Sequence, residues 1–308
     1  MASKVAVIEI GTNSIKFCIG MLDETGHIVY ITDTALPTRL GEGLDRTGLI
    51  SSEACKRNVV AVAECVVQAS EVGVSKIIVI GTAAVRRAVN AAAFRSSIKE
   101  QCGVDLHVLS EAEEARLSYE AVLYGLNVPS DGVLMTMDTG GGSTEFVFAE
   151  GDRVIRSFSV PLGAVVLTER WGMQDAVSDP TLKQARAEIR DLLSRAGVCG
   201  PVALAVGMGG GVTALAAAAE RLRKYTSGAV HGSILTAEKT EELLLAFASR
   251  NAAERKEFAN FPPGRADIVL AGACIVKSAM ELVGAGIMTV SAYGLRHALV
   301  RELLTLPV

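Results

Sequence analysis

The chain has 308 residues, half of them hydrophobic and about a fifth charged, which excludes a disordered chain, since disorder combines low hydrophobicity with high net charge. At about 100 to 200 residues per domain, the length suggests two domains, each large enough to bury a core. Thirty Lys and Arg against 34 Asp and Glu give a net charge of −4; no broad positive field is available for nucleic acid, so an anionic ligand must be gripped locally by backbone amides and a few placed cations.

The N-terminus, MASKVAVIEIG, runs straight into strand-like sequence without the basic and apolar regions of a secretory signal, and a cytoplasmic location is expected. VAVIEIG (5–11) and IKFCIGMLD (15–23) flank a Gly-Thr-Asn-Ser turn, and HIVYITDTAL (27–36) continues as the third strand of an antiparallel meander. Residues 52–72 read as an amphipathic helix, KIIVIG (76–81) as a buried strand, residues 83–100 as helical and DLHVL (105–109) as a short strand. Ser110-Glu-Ala-Glu is a capping-box pattern that opens a helix running to about Tyr124. NVPSDG (127–132) has turn-forming residues and no apolar period, which makes it the expected linker between domains at 1–126 and 127–294. A second meander follows it directly, and helices and strands then alternate to the end, the pattern of an α/β protein with mixed sheets. Residues 196–219 carry no charge and are long enough to cross a bilayer. Their Pro201, six glycines and many alanines read instead as a buried strand, turn and helix, so no membrane partner is expected. The six cysteines include no C-x-x-C pair, which argues for buried free thiols of a reducing compartment.

Thirty glycines, nearly one residue in ten against an average of about 7%, need a reason. VIEIGTNSIKF (7–17) overlays TMDTGGGSTEF (136–146) at an offset of 129, aligning Glu9 with Asp138, Gly11 with Gly140, Ser14 with Ser143 and Phe17 with Phe146. Each copy is a carboxylate at a strand end, a glycine turn, a hydroxyl and a second strand: a hairpin whose tip offers N–H groups and hydroxyls to an anion. Two such hairpins, one per domain, would face each other across a cleft. A tight β-turn accounts for the first equally well. Three successive glycines before Ser-Thr-Glu are harder to explain as structure alone, because each adds unfolded-state entropy. A third cluster, Gly207-Met-Gly-Gly-Gly-Val-Thr, lies between the strand-like PVALAV and an alanine-rich helix, where free N–H groups and the helix dipole receive anions. It lacks the Lys of a Walker A sequence, and a turn that lets the helix pack closely on its strand is the structural alternative.

Taken in order, these segments resemble the exopolyphosphatase and guanosine pentaphosphate phosphohydrolase (Ppx/GppA) family of the actin-like and sugar-kinase-like (ASKHA) superfamily. IEIGTNSIK resembles the first phosphate motif of that family, DTGGGSTE the second, and EEARLSYEAV (113–122) the helix that carries its catalytic Glu. TRLGEGL (38–44), GTAAVRRA (81–88), VPLGAVVLTE (160–169), GMGGGVTALAA (207–217), VHG (230–232) and SAYGLRHAL (291–299) also resemble family segments. The resemblance spans essentially the whole chain. It implies two actin-like, ribonuclease H-like α/β domains with mixed sheets flanking a cleft, with the last helix, within 295–308, returning to the first domain. It further implies hydrolysis of a terminal phosphoanhydride of inorganic polyphosphate or guanosine pentaphosphate, and dependence on a divalent cation, Mg2+ or Mn2+. A homodimer stays open as an assembly.

The resemblance also implies roles. Glu114 matches the catalytic Glu that orients and deprotonates water, with Glu113 facing another side of the helix; without the resemblance both read as solvated helix charges. Asp138 matches a metal- and phosphate-site carboxylate and Glu145 a second acid that places metal or water, hard oxygen ligands suited to magnesium. Gly141, Gly142, Ser143 and Thr144 would cradle phosphate oxygens, and Arg86 stands at the phosphate-binding Arg position. Asn13 and Ser14 would supply the opposing turn, and Gly209, Gly210 and Gly211 a further loop. His231 is expected to order a loop and Arg116 to make a structural ion pair. Glu9, on the metal side of the first motif, departs from the usual Asp; the extra methylene moves the carboxylate by on the order of an ångström and puts metal or water placement there in doubt. The sequence also ends soon after SAYGLRHALVRELL, without the helical extension of longer members, so short polyphosphates or guanosine pentaphosphate and little processivity are expected. The rival readings are a kinase of the same superfamily and a regulator that binds guanosine tetra- or pentaphosphate with little turnover.

Overall fold

The computed structural model describes residues 3–126, 128, 131–151, 153–261 and 264–305. The chain begins with strands β1 (Lys4–Ile10), β2 (Ile15–Leu22) and β3 (Ile28–Leu36), then α1 (Leu44–Thr47), α2 (Ser52–Glu71), β4 (Lys76–Gly81), α3 (Ala83–Arg87), α4 (Ala91–Cys102), β5 (Leu106–Val108) and α5 (Glu111–Gly125). It continues with β6 (Val133–Thr139), β7 (Thr144–Glu150), β8 (Arg153–Val160), α6 (Ala164–Trp171), α7 (Asp179–Arg195), β9 (Leu204–Met208) and α8 (Gly209–Ala219). Last come α9 (Ser227–Val230), β10 (Ile234–Thr236), α10 (Ala237–Ala248), α11 (Ala252–Phe258), α12 (Val269–Leu282), β11 (Ile287–Val290) and α13 (Leu295–Thr305). Two units result, one running to Leu117 and resuming at Leu295, the other from Ser118 to Gly294. The division falls inside α5. Of the turn-rich segment 127–132, Asn127, Pro129 and Ser130 lie outside the described residues.

The sheet of the first unit has the order β3-β2-β1-β4-β5, with β1, β2 and β3 antiparallel and β4 and β5 parallel to β1. Side chains alternate across it. Ala6, Ile8 and Ile10 join Val59 and Val62 of α2 and Phe94 and Ile98 of α4 in one cluster, while Val5 and Val7 meet Cys18 and Val300 of α13 on the other face. Helix α13 is tied down by polar contacts as well. Arg296 Nε donates to Asp33 Oδ1 at 2.6 Å, His297 Nε2 lies 3.4 Å from Asp33 Oδ2, and Arg116 Nη1 donates to Glu302 Oε1 at 2.7 Å, the structural ion pair read for Arg116. Burial, with the Arg296 charge acting in the same direction, pushes the His297 imidazole down to about 4.

Residues 83–100, read as one helical stretch, form two helices. Ala88 is extended, the Val89 N–H donates to Gly48 O at 2.9 Å, and the Asn90 amide pairs with both backbone groups of Ile50 at 2.9 Å. These tertiary bonds outcompete the next helical turn.

The sheet of the second unit has the order β10-β11-β9-β6-β7-β8; β6, β7 and β8 are antiparallel, β9 is parallel to β6, β11 to β9, and β10 is an antiparallel edge. Apart from β10, the first unit's order recurs, so the chain is a pair of actin-like, ribonuclease H-like α/β domains with mixed sheets. The offset of 129 holds at the level of register. β1 maps onto β6 end for end, the pair Ile10↔Ile15 maps onto Thr139↔Thr144, and each turn closes with a glycine N–H to a serine carbonyl, Gly11 to Ser14 at 3.1 Å and Gly140 to Ser143 at 3.0 Å. Helix α12 is buried in the core of this unit over most of its surface, and its two charged side chains, Lys277 and Glu281, pair with each other at 3.3 Å on the remaining side. Residues 196–219 supply β9 and α8, and no described helix is long and apolar enough to cross a membrane. All six cysteines are free; Cys18, Cys65 and Cys274 are buried, but Cys199 is exposed, which corrects the buried-thiol reading at that position.

Candidate active site

In the first unit α5 opens on its capping box. The Glu113 N–H donates to Ser110 Oγ at 3.2 Å, and the Ser110 N–H and hydroxyl return to Glu113 Oε2 at 2.8 and 2.7 Å. Those bonds hold the Glu113 carboxyl below its usual range. Glu113 is therefore spent as a cap. One residue on, turned by about 100° around the helix, Glu114 is 3% exposed. Its Oε2 accepts from Arg86 Nη1 at 2.5 Å, and the same Nη1 reaches Leu109 O at 2.8 Å. Arg86, read as a phosphate ligand, thus fixes the candidate base, while its neighbour Arg87 pairs with Asp45 at 2.7 Å.

The first hairpin places Glu9 opposite Lys16. Lys16 Nζ donates to Glu9 Oε1 at 2.5 Å; Glu9 is 2% exposed, and its Oε2 is buried without a hydrogen-bond partner. At the tip, Asn13 Nδ2 donates to Ser14 Oγ at 3.3 Å. The carbonyls of Thr12 and Asn13 accept from the N–H groups of Gly41 and Arg39 at 2.9 Å, so the segment 38–44 seats on the turn.

The second hairpin places Asp138 opposite Glu145, both buried. Asp138 Oδ2 accepts from Ser118 Oγ at 3.0 Å, and Glu145 Oε1 accepts from Ser143 Oγ at 2.6 Å and Ser159 Oγ at 2.9 Å. The N–H groups of Gly141, Gly142 and Ser143 make no hydrogen bond among the described residues. Thr144, expected to cradle phosphate, is fully buried and its hydroxyl donates to Leu162 O at 2.7 Å, so its side chain braces the strand. The third glycine loop joins this group. At Gly209, with φ +86°, a Cβ would stand 2.5 Å from Thr139 O and 2.6 Å from Asp138 Oδ1, so only glycine fits there. No side chain caps α8, leaving its first N–H groups available. At Gly210 a Cβ would stand 2.2 Å from the guanidinium carbon of Arg265; that cation lies on the loop.

His231, as read, orders a loop. Its Nε2 reaches Gly125 O at 2.8 Å, Nδ1 accepts from the Ala292 N–H at 3.2 Å, and the ring stacks on Tyr293 at 4.6 Å.

The Ppx/GppA phosphatase family profile matches residues 22–306. The chain belongs to that family. It is similar to exopolyphosphatase 2 of Mycobacterium tuberculosis, at 30% identity over 94% of this chain and 95% of the other, and to exopolyphosphatase 1 of Mycobacterium leprae, at 26% identity over 96% and 88%. A solved Ppx/GppA family member from Aquifex aeolicus superimposes with a TM-score of 0.82 at 31% identity, covering 98% of both chains. An exopolyphosphatase from Cytophaga hutchinsonii shares the fold, with a TM-score of 0.89 at 23% identity over 98% of this chain and 97% of that one.

In this Ppx/GppA phosphatase the two hairpins differ in charge. Glu9 already faces a lysine across its strand pair, whereas Asp138 faces Glu145, and two buried carboxylates opposed in a ladder repel each other. A hard dication removes that repulsion, and carboxylate oxygens fixed by hydroxyls are the donors magnesium takes. The residues present therefore fit a divalent ion at Asp138 and Glu145. Glu9, read as a metal-side ligand, has a cation of the chain's own on one oxygen instead. Lys16, Ser118, Ser159 and Arg265 were not singled out from sequence. Lys16 carries a signal, since it stands where Glu145 stands at the offset of 129, and so does Ser118, one turn after Glu114 on the same helix face.

Proposed function

We propose that this chain hydrolyses the terminal phosphoanhydride of inorganic polyphosphate, short chains above long ones, and of guanosine pentaphosphate. The observation that carries the reading is Glu114: a buried carboxylate held by a guanidinium, beside a glutamate already spent as a helix cap. A general base works when its geometry is fixed. The water oxygen attacks the terminal phosphorus, its proton passes to Glu114, and the P–O anhydride bond breaks with the electron pair leaving on the shortened chain. Such a reaction asks the protein for positioning and charge stabilisation more than covalent work. The N–H groups at 141–143 and 209–211 and the Arg265 guanidinium would take phosphoryl oxygens. Asp138 and Glu145 would hold Mg2+ or Mn2+, which when bound supplies charge neutralisation at the phosphoryl group.

The similarity to exopolyphosphatases supports polyphosphate as substrate. The net charge of −4 supports short substrates, because each further phosphate adds about one negative charge that needs a cation to hold it. The test is phosphate release from polyphosphates of several lengths and from guanosine pentaphosphate, with magnesium or manganese and no acceptor. Release without an acceptor supports the hydrolase. Turnover only with an acceptor would make the chain a kinase, and binding without turnover a regulator.

A further inference from the structure

Helix α8 stops in an uncommon way. The N–H groups of Glu220 and Leu222 bond to the carbonyls of Ala216 and Ala217 at 2.9 and 3.0 Å, and between them Arg221 takes φ +51°. That left-handed position after a helix belongs by preference to Gly or Asn. Only one other described non-glycine residue, Arg39, has a positive φ. Next to Arg221 opens a cavity of about 290 Å³, walled by the end of α8, one face of α10 and the segment 258–261.

The lining mixes apolar side chains with three charged ones, Arg221, Lys239 and Glu242. Leu222, Leu243, Phe258 and Phe261 line it, with Phe258 and Phe261 both packed edge-on against Phe247. Of the charged lining groups, Lys239 Nζ binds both oxygens of Glu242 at 2.8 and 2.9 Å, so that pair cancels. The Arg221 guanidinium makes no hydrogen bond or ion pair among the described residues. The cavity therefore carries one net positive charge on a planar fork, which matches the oxygens of a carboxylate, sulfonate or phosphate monoester. Its volume is at the small end of ligand sites.

We propose that this cavity binds a small amphipathic monoanion, with its charged group on Arg221 and its apolar body against the leucines and phenylalanines. The site is separate from the glycine loop: the 11 residues of α8 put about 16 Å between them. It does not depend on the hydrolase reading.

The probe is 1-anilinonaphthalene-8-sulfonate, titrated by fluorescence against the full chain. One saturable site is expected, displaced by decanoate but not by decylammonium or tripolyphosphate. Arg221→Gly is the decisive variant, because glycine suits φ +51° and folding is preserved while the guanidinium is lost. Binding should weaken at least tenfold with the thermal unfolding midpoint unchanged or higher and phosphate release without probe unchanged. Leu243→Trp, which fills the cavity, should lose the site as well. No saturable binding, equal affinity in Arg221→Gly, displacement by decylammonium as well as by decanoate, or displacement by tripolyphosphate would each overturn the proposal.

Discussion

Replacing Lys16 with Met keeps the stem and removes the ammonium that meets Glu9 Oε1 at 2.5 Å. The Glu9 side chain is 2% exposed and that of Lys16 21%, so the substitution strands a carboxylate inside the first unit with its other oxygen already unpartnered. Removing one partner of a buried pair costs about 3 to 5 kcal/mol; water reaching the half-buried lysine side puts the loss at the low end, about 3 kcal/mol. Adding Glu9→Gln takes away the stranded charge, and the double variant should recover to within about 1 kcal/mol of the parent. Glu9→Asp alone draws the carboxylate back by about 1.5 Å and loses part of the same pairing, so the shorter acid is no repair and should cost about 1 kcal/mol. Urea unfolding of the parent, Lys16→Met, Glu9→Gln and the double variant at pH 7 forms a double-mutant cycle, with a coupling of about 2 kcal/mol expected. A Lys16→Met chain as stable as the parent, or a cycle without coupling, would refute neutralisation of Glu9 from within.

Magnesium should raise the thermal unfolding midpoint saturably, as any ligand of the folded state does; Asp138→Asn should abolish the shift and Glu9→Gln should keep it, and the reverse pattern would move the ion to the first hairpin. The neutral His297 imidazole is favoured by folding, its value falling from 6.5 to about 4. Stability should therefore be full above pH 6.5 and decline as pH falls toward 4, by about 3 kcal/mol at most, with the lowered Asp33 carboxyl adding loss at still lower pH. Unfolding midpoints between pH 7 and 4 check this against His297→Gln, which should lose the dependence above pH 4. Thr144→Val should destabilise by about 1 to 2 kcal/mol, since Leu162 O loses its donor, yet leave kcat/KM within about twofold; a large fall in KM-controlled rates would restore Thr144 to the phosphate loop.

The hairpin pair was legible because a period of two residues, a glycine turn and a carboxylate at each strand end leave the same trace twice, and the offset of 129 survives in register at Ile10↔Ile15 and Thr139↔Thr144. Glu114 was legible only through resemblance. What separates it from Glu113 physically is the cap to Ser110, whose pattern was on view in the sequence. Other features depend on atoms brought together from far along the chain. The break at Ala88 is set by Gly48 and Ile50, the burial of the Thr144 hydroxyl by Leu162, and the seat of Arg265 by the absence of a side chain at Gly210. None of these has a local signal, because the competing partner lies 18 to 55 residues away or contributes only backbone.

The most direct test of the hydrolase reading is the turnover of Glu114→Gln. The amide keeps the volume and accepts from Arg86 as the carboxylate does, so the unfolding midpoint and substrate affinity should stay close to those of the parent. Phosphate release from short polyphosphate with magnesium should fall by about 10² to 10⁴. Turnover near the parent rate in a folded Glu114→Gln chain would contradict the assignment of the base.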